Sequence, residues 1–149
     1  NVIGNSSVVV RKSLLDLIGG IDESKEIVAA EDYNTWLRIA QITDQFVYLP
    51  QKLGYYFIHN QSISQKDMSS PGRQAVAQFT PLLNAAQRLH LEVNFRYTAG
   101  HFNYLMGRND EAKLDLLFCI RHGHASIKMK AFTFICLKVL RKYFMECKI

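Results

Sequence analysis

The stretch DQFVYLPQKLGYYFIH, residues 44–59, decides how the fold class is read. It holds two apolar runs, DQFVYLP and KLGYYFIH, and Pro50 ends the first. Clusters of β-branched and aromatic residues closed by a breaker predict short strands. SSVVVRK at 6–12 predicts a third. SLLDLIGG follows it as a short helix ended by Gly19 and Gly20, because glycine reaches φ > 0 without penalty. The polar loop IDESKEIVA then leads into VAAEDYNTWLRIA, residues 28–40. Here Tyr33, Trp36, Leu37, Ile39 and Ala40 recur at helical spacing behind two adjacent acids, Glu31 and Asp32. Mixed strand and helix signals over some 60 residues predict an α/β first part.

NQSISQKDMSSPG, residues 60–72, is a run of loop formers, so the expected domains are 1–68 and 69–149. The second is predicted to be all-helical, with helices near 73–90, 94–106, 110–121 and 126–147. GHFNYLMGRNDEAKLDLLFCI, residues 100–120, has the cadence of a helical hairpin. Gly107 closes its first helix, Asn109 or Asp110 caps its second, and Ala112 packs inward. That is the pattern of one tetratricopeptide-like hairpin or simply of two antiparallel helices.

Composition sets outer bounds. Hydrophobic residues make up 48% and charged residues 21% of the 149, the balance of a globular chain and not of a disordered one. No uncharged run of 18 apolar residues occurs, so no membrane-spanning helix is expected, and no signal peptide is visible. Cys119, Cys136 and Cys147 are odd in number and lack C-x-x-C spacing, which argues for reduced, packed thiols and a cytoplasmic setting. The net charge of +5 gathers at the end of the chain: Lys128, Lys130, Lys138, Arg141, Lys142 and Lys148 face the single acid Glu146. With these residues on one helix and no recognition motif, nucleic acid is not an expected partner. His122 and His124 flank Gly123 without a third ligand and read as a turn.

The acids at 31 and 32 have two readings. Carboxylates in a first helical turn satisfy orphan N–H groups and the positive dipole end. A carboxylate held rigidly beside a cleft can also act as general base. Trp36 reads first as a core anchor and second as a ligand platform. Arg38 is a candidate for a phosphate or an acid.

The order of these pieces resembles the C-terminal half of the catalytic domain of family 2 glycosyltransferases. The elements are Gly19-Gly20-Ile21-Asp22-Glu23, then Glu31-Asp32 with Trp36-Leu37-Arg38, then Tyr56-Phe57-Ile58-His59 with Ser62 and Ser64. The resemblance covers residues 3–66 and implies a GT-A fold. It also implies an inverting, metal-dependent transfer of sugar from a nucleotide-diphosphate donor to a glycan or lipid-linked acceptor, in cell-envelope or polysaccharide synthesis. By that resemblance Asp32 is the base and Glu31 its neighbour. His59 is a ligand of Mn²⁺ or Mg²⁺. Gly19, Gly20, Trp36 and Arg38 are the substrate-side candidates. The chain departs from the pattern at Phe57, where the family carries arginine, and at Asn34, where an aspartate is common. No Asp-x-Asp and no phosphate-cradling glycine loop occurs. The donor site and the other metal ligands are therefore expected in a preceding segment, and the 149 residues alone are expected to be inactive.

SIKMKAFTFICLKVLRKYFMECK, residues 126–148, reads as a basic amphipathic helix. Met129, Phe132, Cys136, Leu137, Val139, Leu140, Tyr143 and Phe144 fall on one half and the cations on the other. It either packs its apolar half on the preceding hairpin or lies peripherally on the inner face of the cytoplasmic membrane. A rival reading of the whole chain follows from this half: a helical interaction or membrane-docking module behind a degenerate, non-catalytic glycosyltransferase remnant.

Overall fold

The computed structural model describes residues 3–55, 57 and 66–146, with side chains described as far as 137. It forms two compact units, Asn1–Gln78 and Phe79–Ile149.

The first unit carries α1 (Lys12–Leu17), α2 (Glu31–Ala40) and α3 (Ser69–Val76), with 3₁₀ turns at Asn5–Ser7 and Lys25–Ile27. Among the described residues there is no strand and no sheet, which overturns the α/β, GT-A expectation. The reason is physical. β-Branched and aromatic composition is only a preference, and a strand exists when a neighbour completes its backbone hydrogen bonds. Among the described residues none of the three candidate runs pairs with another. SSVVVRK instead begins in a 3₁₀ turn and runs into α1, and Val47, in DQFVYLP, is 86% exposed. Ile27, Ala30 and Ala75 form one buried cluster with Tyr33 and Met68 packed against it, and Trp36, Ile39 and Val76 are buried as well. The buried Asn34 Nδ2 donates to the Ala75 carbonyl at 2.8 Å, so α3 belongs with α2.

Two helix ends in the chain are built the same way. After α1 the Gly20 N–H reaches the Leu15 carbonyl at 2.8 Å and the Gly19 N–H reaches Asp16 at 3.1 Å. This is the Schellman pairing, and it requires the positive φ of +77° at Gly19. Gly107, at φ +73°, closes the next long helix by the same two bonds, Arg108 N–H to Asn103 and Gly107 N–H to Tyr104.

The second unit holds α4 (Ala85–Leu105), α5 (Asn109–His122) and α6 (Ala125–Glu146). The helix expected over 73–90 is broken. Pro81 lies in a 3₁₀ stretch, Ala77–Leu82, and α4 starts afresh at Asn84. There a capping box closes both ways: Gln87 N–H to Asn84 Oδ1 and Asn84 N–H to Gln87 Oε1, each 2.9 Å. The boundary expected near Asn94 is absent, and α4 runs through it. Arg108 is the residue before α5, one earlier than expected, and Asp110 and Glu111 complement the dipole of its first turn.

α4 and α5 approach closely because Gly100 has no side chain. A Cβ there would lie 3.0 Å from Asp115 Cβ and 3.2 Å from Leu116 Cγ. Ala112, Leu116 and Cys119 present their buried side to this contact, and Ile127 and Ala131 of α6 close the core with Val93. At the rim Arg96 binds Glu92 at 2.7 Å and Asp115 at 3.1 Å, with its guanidinium 4.6 Å above the Phe118 ring. Burial, reinforced by the Asp115 carboxylate, pushes the Cys119 thiol from 9.0 up to about 11.

Two predictions follow the core. Gly100→Val forces α5 away from α4 and lowers stability by about 1–3 kcal/mol in denaturant unfolding, the usual cost of overpacking. The folded state prefers Cys119 protonated. Its contribution is therefore complete below pH 9 and is lost as pH rises toward 11. Thermal unfolding across that range is expected to fall less steeply in Cys119→Ala than in the parent chain.

Candidate functional site

α2 carries Glu31, Asp32, Trp36 and Arg38, and the glycine turn carries Gly19 and Gly20. Ala30 precedes the helix without a side-chain cap, and Ala29 stands at φ +69°, a left-handed conformation that costs an alanine roughly 1–2 kcal/mol. That turn sets the direction in which Glu31 and Asp32 enter the helix. Asp32 Oδ1 accepts the Tyr33 N–H at 2.6 Å, so one oxygen of this carboxylate serves the helix start. Thr35 Oγ1 donates to the Glu31 carbonyl at 2.7 Å. Glu31 Oε2 is buried and meets no hydrogen-bond partner among the described residues.

At the other end of α2 is Arg38. Its Nη1 donates to the Ile18 carbonyl and its Nη2 to the Gly20 carbonyl, both at 2.8 Å. The planar fork of a guanidinium suits two adjacent acceptors, and a cation belongs beside the exposed carbonyls of a helix end. Both terminal nitrogens of Arg38 are thus engaged by backbone carbonyls. It fixes the Gly19-Gly20 turn against α2. Asp22 lies just beyond, where the Ser24 N–H meets its Oδ1 at 2.9 Å. That bond first, then the Ser24 hydroxyl and the charge of Arg38, holds the Asp22 carboxyl below its usual value.

The structure therefore joins Gly19, Gly20 and Arg38, and it leaves them a helix length away from Glu31 and Asp32. Six residues at 1.5 Å each put roughly 9 Å of helix axis between Asp32 and Arg38. Trp36 is 8% exposed and acts as a core residue, although its Nε1 finds no hydrogen-bond partner among the described residues. His59, the proposed metal ligand, lies outside the described residues, so its relation to Asp32 does too. Among the described residues no three His, Cys, Asp or Glu side chains gather as a metal site. The two histidines of RHGHAS turn to different partners: His122 lies 4.6 Å from the Phe118 ring and His124 stacks on His90 at 5.8 Å. Searches of family profiles, curated proteins and solved structures found no match to this chain.

Sequence reasoning missed the role of Arg38. The available signal was the pair of αL glycines: a helix that ends in exposed carbonyls invites a donor, and Arg38 is the cation closest in sequence after the loop. Arg38→Ala should lower stability by about 2–3 kcal/mol, the cost of two charge-assisted bonds. Arg38→Lys should recover less than half of that, since an ammonium cannot fork across two carbonyls. Urea unfolding monitored through Trp36 fluorescence reads both.

Proposed function

We propose that this chain is part of an inverting sugar-transferring enzyme of the family 2 glycosyltransferase kind, acting on a nucleotide-diphosphate sugar and an acceptor hydroxyl. The observation that carries this reading is the fork of Arg38. It binds two of the three segments on which the resemblance rests, the glycine turn and the acid-headed helix, into one piece. Asp32 is the base. It takes the proton from the acceptor hydroxyl as that oxygen bonds to the anomeric carbon, and the bond from that carbon to the diphosphate breaks on the opposite face. Glu31, with its buried oxygen, orients the acceptor beside it. A divalent ion, if bound, would neutralise the departing diphosphate; no group of described residues forms a site for it, and its ligands would be His59 and residues of another segment.

A second reading has its own support. The described residues are all-helical, and Phe57 occupies the place of the family's phosphate-facing arginine. On that reading the second unit is an interaction module and the first a non-catalytic remnant.

Release of nucleoside diphosphate from a panel of nucleotide sugars separates the two. The 149-residue chain alone is expected to show no turnover. In a longer polypeptide that carries it, Asp32→Asn should lower kcat by about 10²–10⁴ with unfolding unchanged. Activity indifferent to Asp32→Asn overturns the assignment of the base, and a longer polypeptide silent with every donor favours the second reading.

A further inference from the structure

α6 packs on its own unit with the face that the sequence pattern did not select. Ile127, Ala131, Phe134 and Ile135 belong to the core with Val93, Leu116 and Cys119. Met129 and Phe132 lie on the opposite arc and are 70% and 60% exposed. Of the expected apolar half, Met129, Phe132 and Leu137 are thus exposed and Cys136 is half-buried. In sequence, the register of the inner face passes after Ile135 to Lys138, Arg141 and Lys142, and that of the outer face passes from Met129 and Phe132 through Cys136 to Val139, Leu140 and Tyr143. Lys128 and Lys130, both exposed, stand at its two edges.

We infer that the outer face of α6 is a docking surface for an anionic lipid bilayer, on which the helix lies in the plane of the headgroups. Three observations choose this occupant. An apolar stripe bordered on both sides by lysines suits a water–lipid interface, where the stems lie along hydrocarbon and the ammonium groups reach phosphate. From residue 126 onward six basic residues face one acid, so the charge complements an anionic leaflet. A second copy of the same face would set Lys128 and Lys130 against their own kind, which disfavours self-pairing. No helix among the described residues is long and apolar enough to cross a membrane, which is compatible with lying on one.

Co-sedimentation of the 149-residue chain with vesicles tests this. Phosphatidylcholine vesicles containing about one-third phosphatidylserine should carry the protein down at low salt, pure phosphatidylcholine should not, and added salt should release it. Phe132→Glu should weaken the binding by about tenfold or more, and so should Lys128→Glu with Lys130→Glu, where each reversed charge acts on the surface potential. Circular dichroism checks that both variants keep their helices; the lysine pair, being exposed, keeps the test open should Phe132→Glu not fold. Absence of binding to anionic vesicles at low salt overturns the inference. So does binding that the lysine reversal leaves intact. Self-association that rises with concentration and is abolished by Phe132→Glu, without vesicle binding, assigns the stripe to a second copy and overturns it as well.

Discussion

The second unit depends on the missing side chain at Gly100. Because that position is bare, α5 comes close enough to α4 for Leu116 and Cys119 to reach Val93. Ile127 and Ala131 of α6 are buried against this same cluster, and Met129 and Phe132 are exposed. The Arg96 cluster at the rim adds direction more than energy: ion pairs with this much exposure contribute about 0–1 kcal/mol each.

The first unit is organised differently. Ile27, Ala30, Trp36, Ile39, Ala75 and Val76 are buried, and polar contacts also hold α2: Arg38 on the glycine turn, Asn34 on α3. The glycine turn meets the far end of α2, about 9 Å along the helix axis from Asp32, and the left-handed turn at Ala29 stands just ahead of the acids.

What was legible in the sequence was what is encoded locally. Gly107 ends α4 because two residues decide a Schellman turn. Ala112 packs inward because a small residue in a helical hairpin has one sensible place. Strands were not legible in the same way, since DQFVYLP is apolar and β-branched whether or not another segment completes its hydrogen bonds. The break before α4 was written in Pro81 and in the Asn84–Gln87 box, but the apolar periodicity on either side masks it. The face of α6 was the most instructive miss. A helical wheel finds the widest apolar arc, whereas packing selects the arc whose side-chain sizes match the neighbouring helices, and in α6 these are different arcs. The candidate site was legible as a list of residue types. Which of them meet was not, because the 18-residue separation between Gly20 and Arg38 carries no local signal.

The two units also differ in how fully their polar groups are met. Among the described residues, four buried side-chain atoms on α2, Glu31 Oε2, Asn34 Oδ1, Trp36 Nε1 and Arg38 Nε, find no hydrogen-bond partner. A buried polar atom left unmet costs roughly 1–3 kcal/mol. Three of the four, at 31, 34 and 38, follow helical spacing and so share one stripe of α2. On Asn34 and Arg38 the unmet atom sits beside a nitrogen that is bonded, so the contacts that hold α2 use only part of what these two side chains can offer.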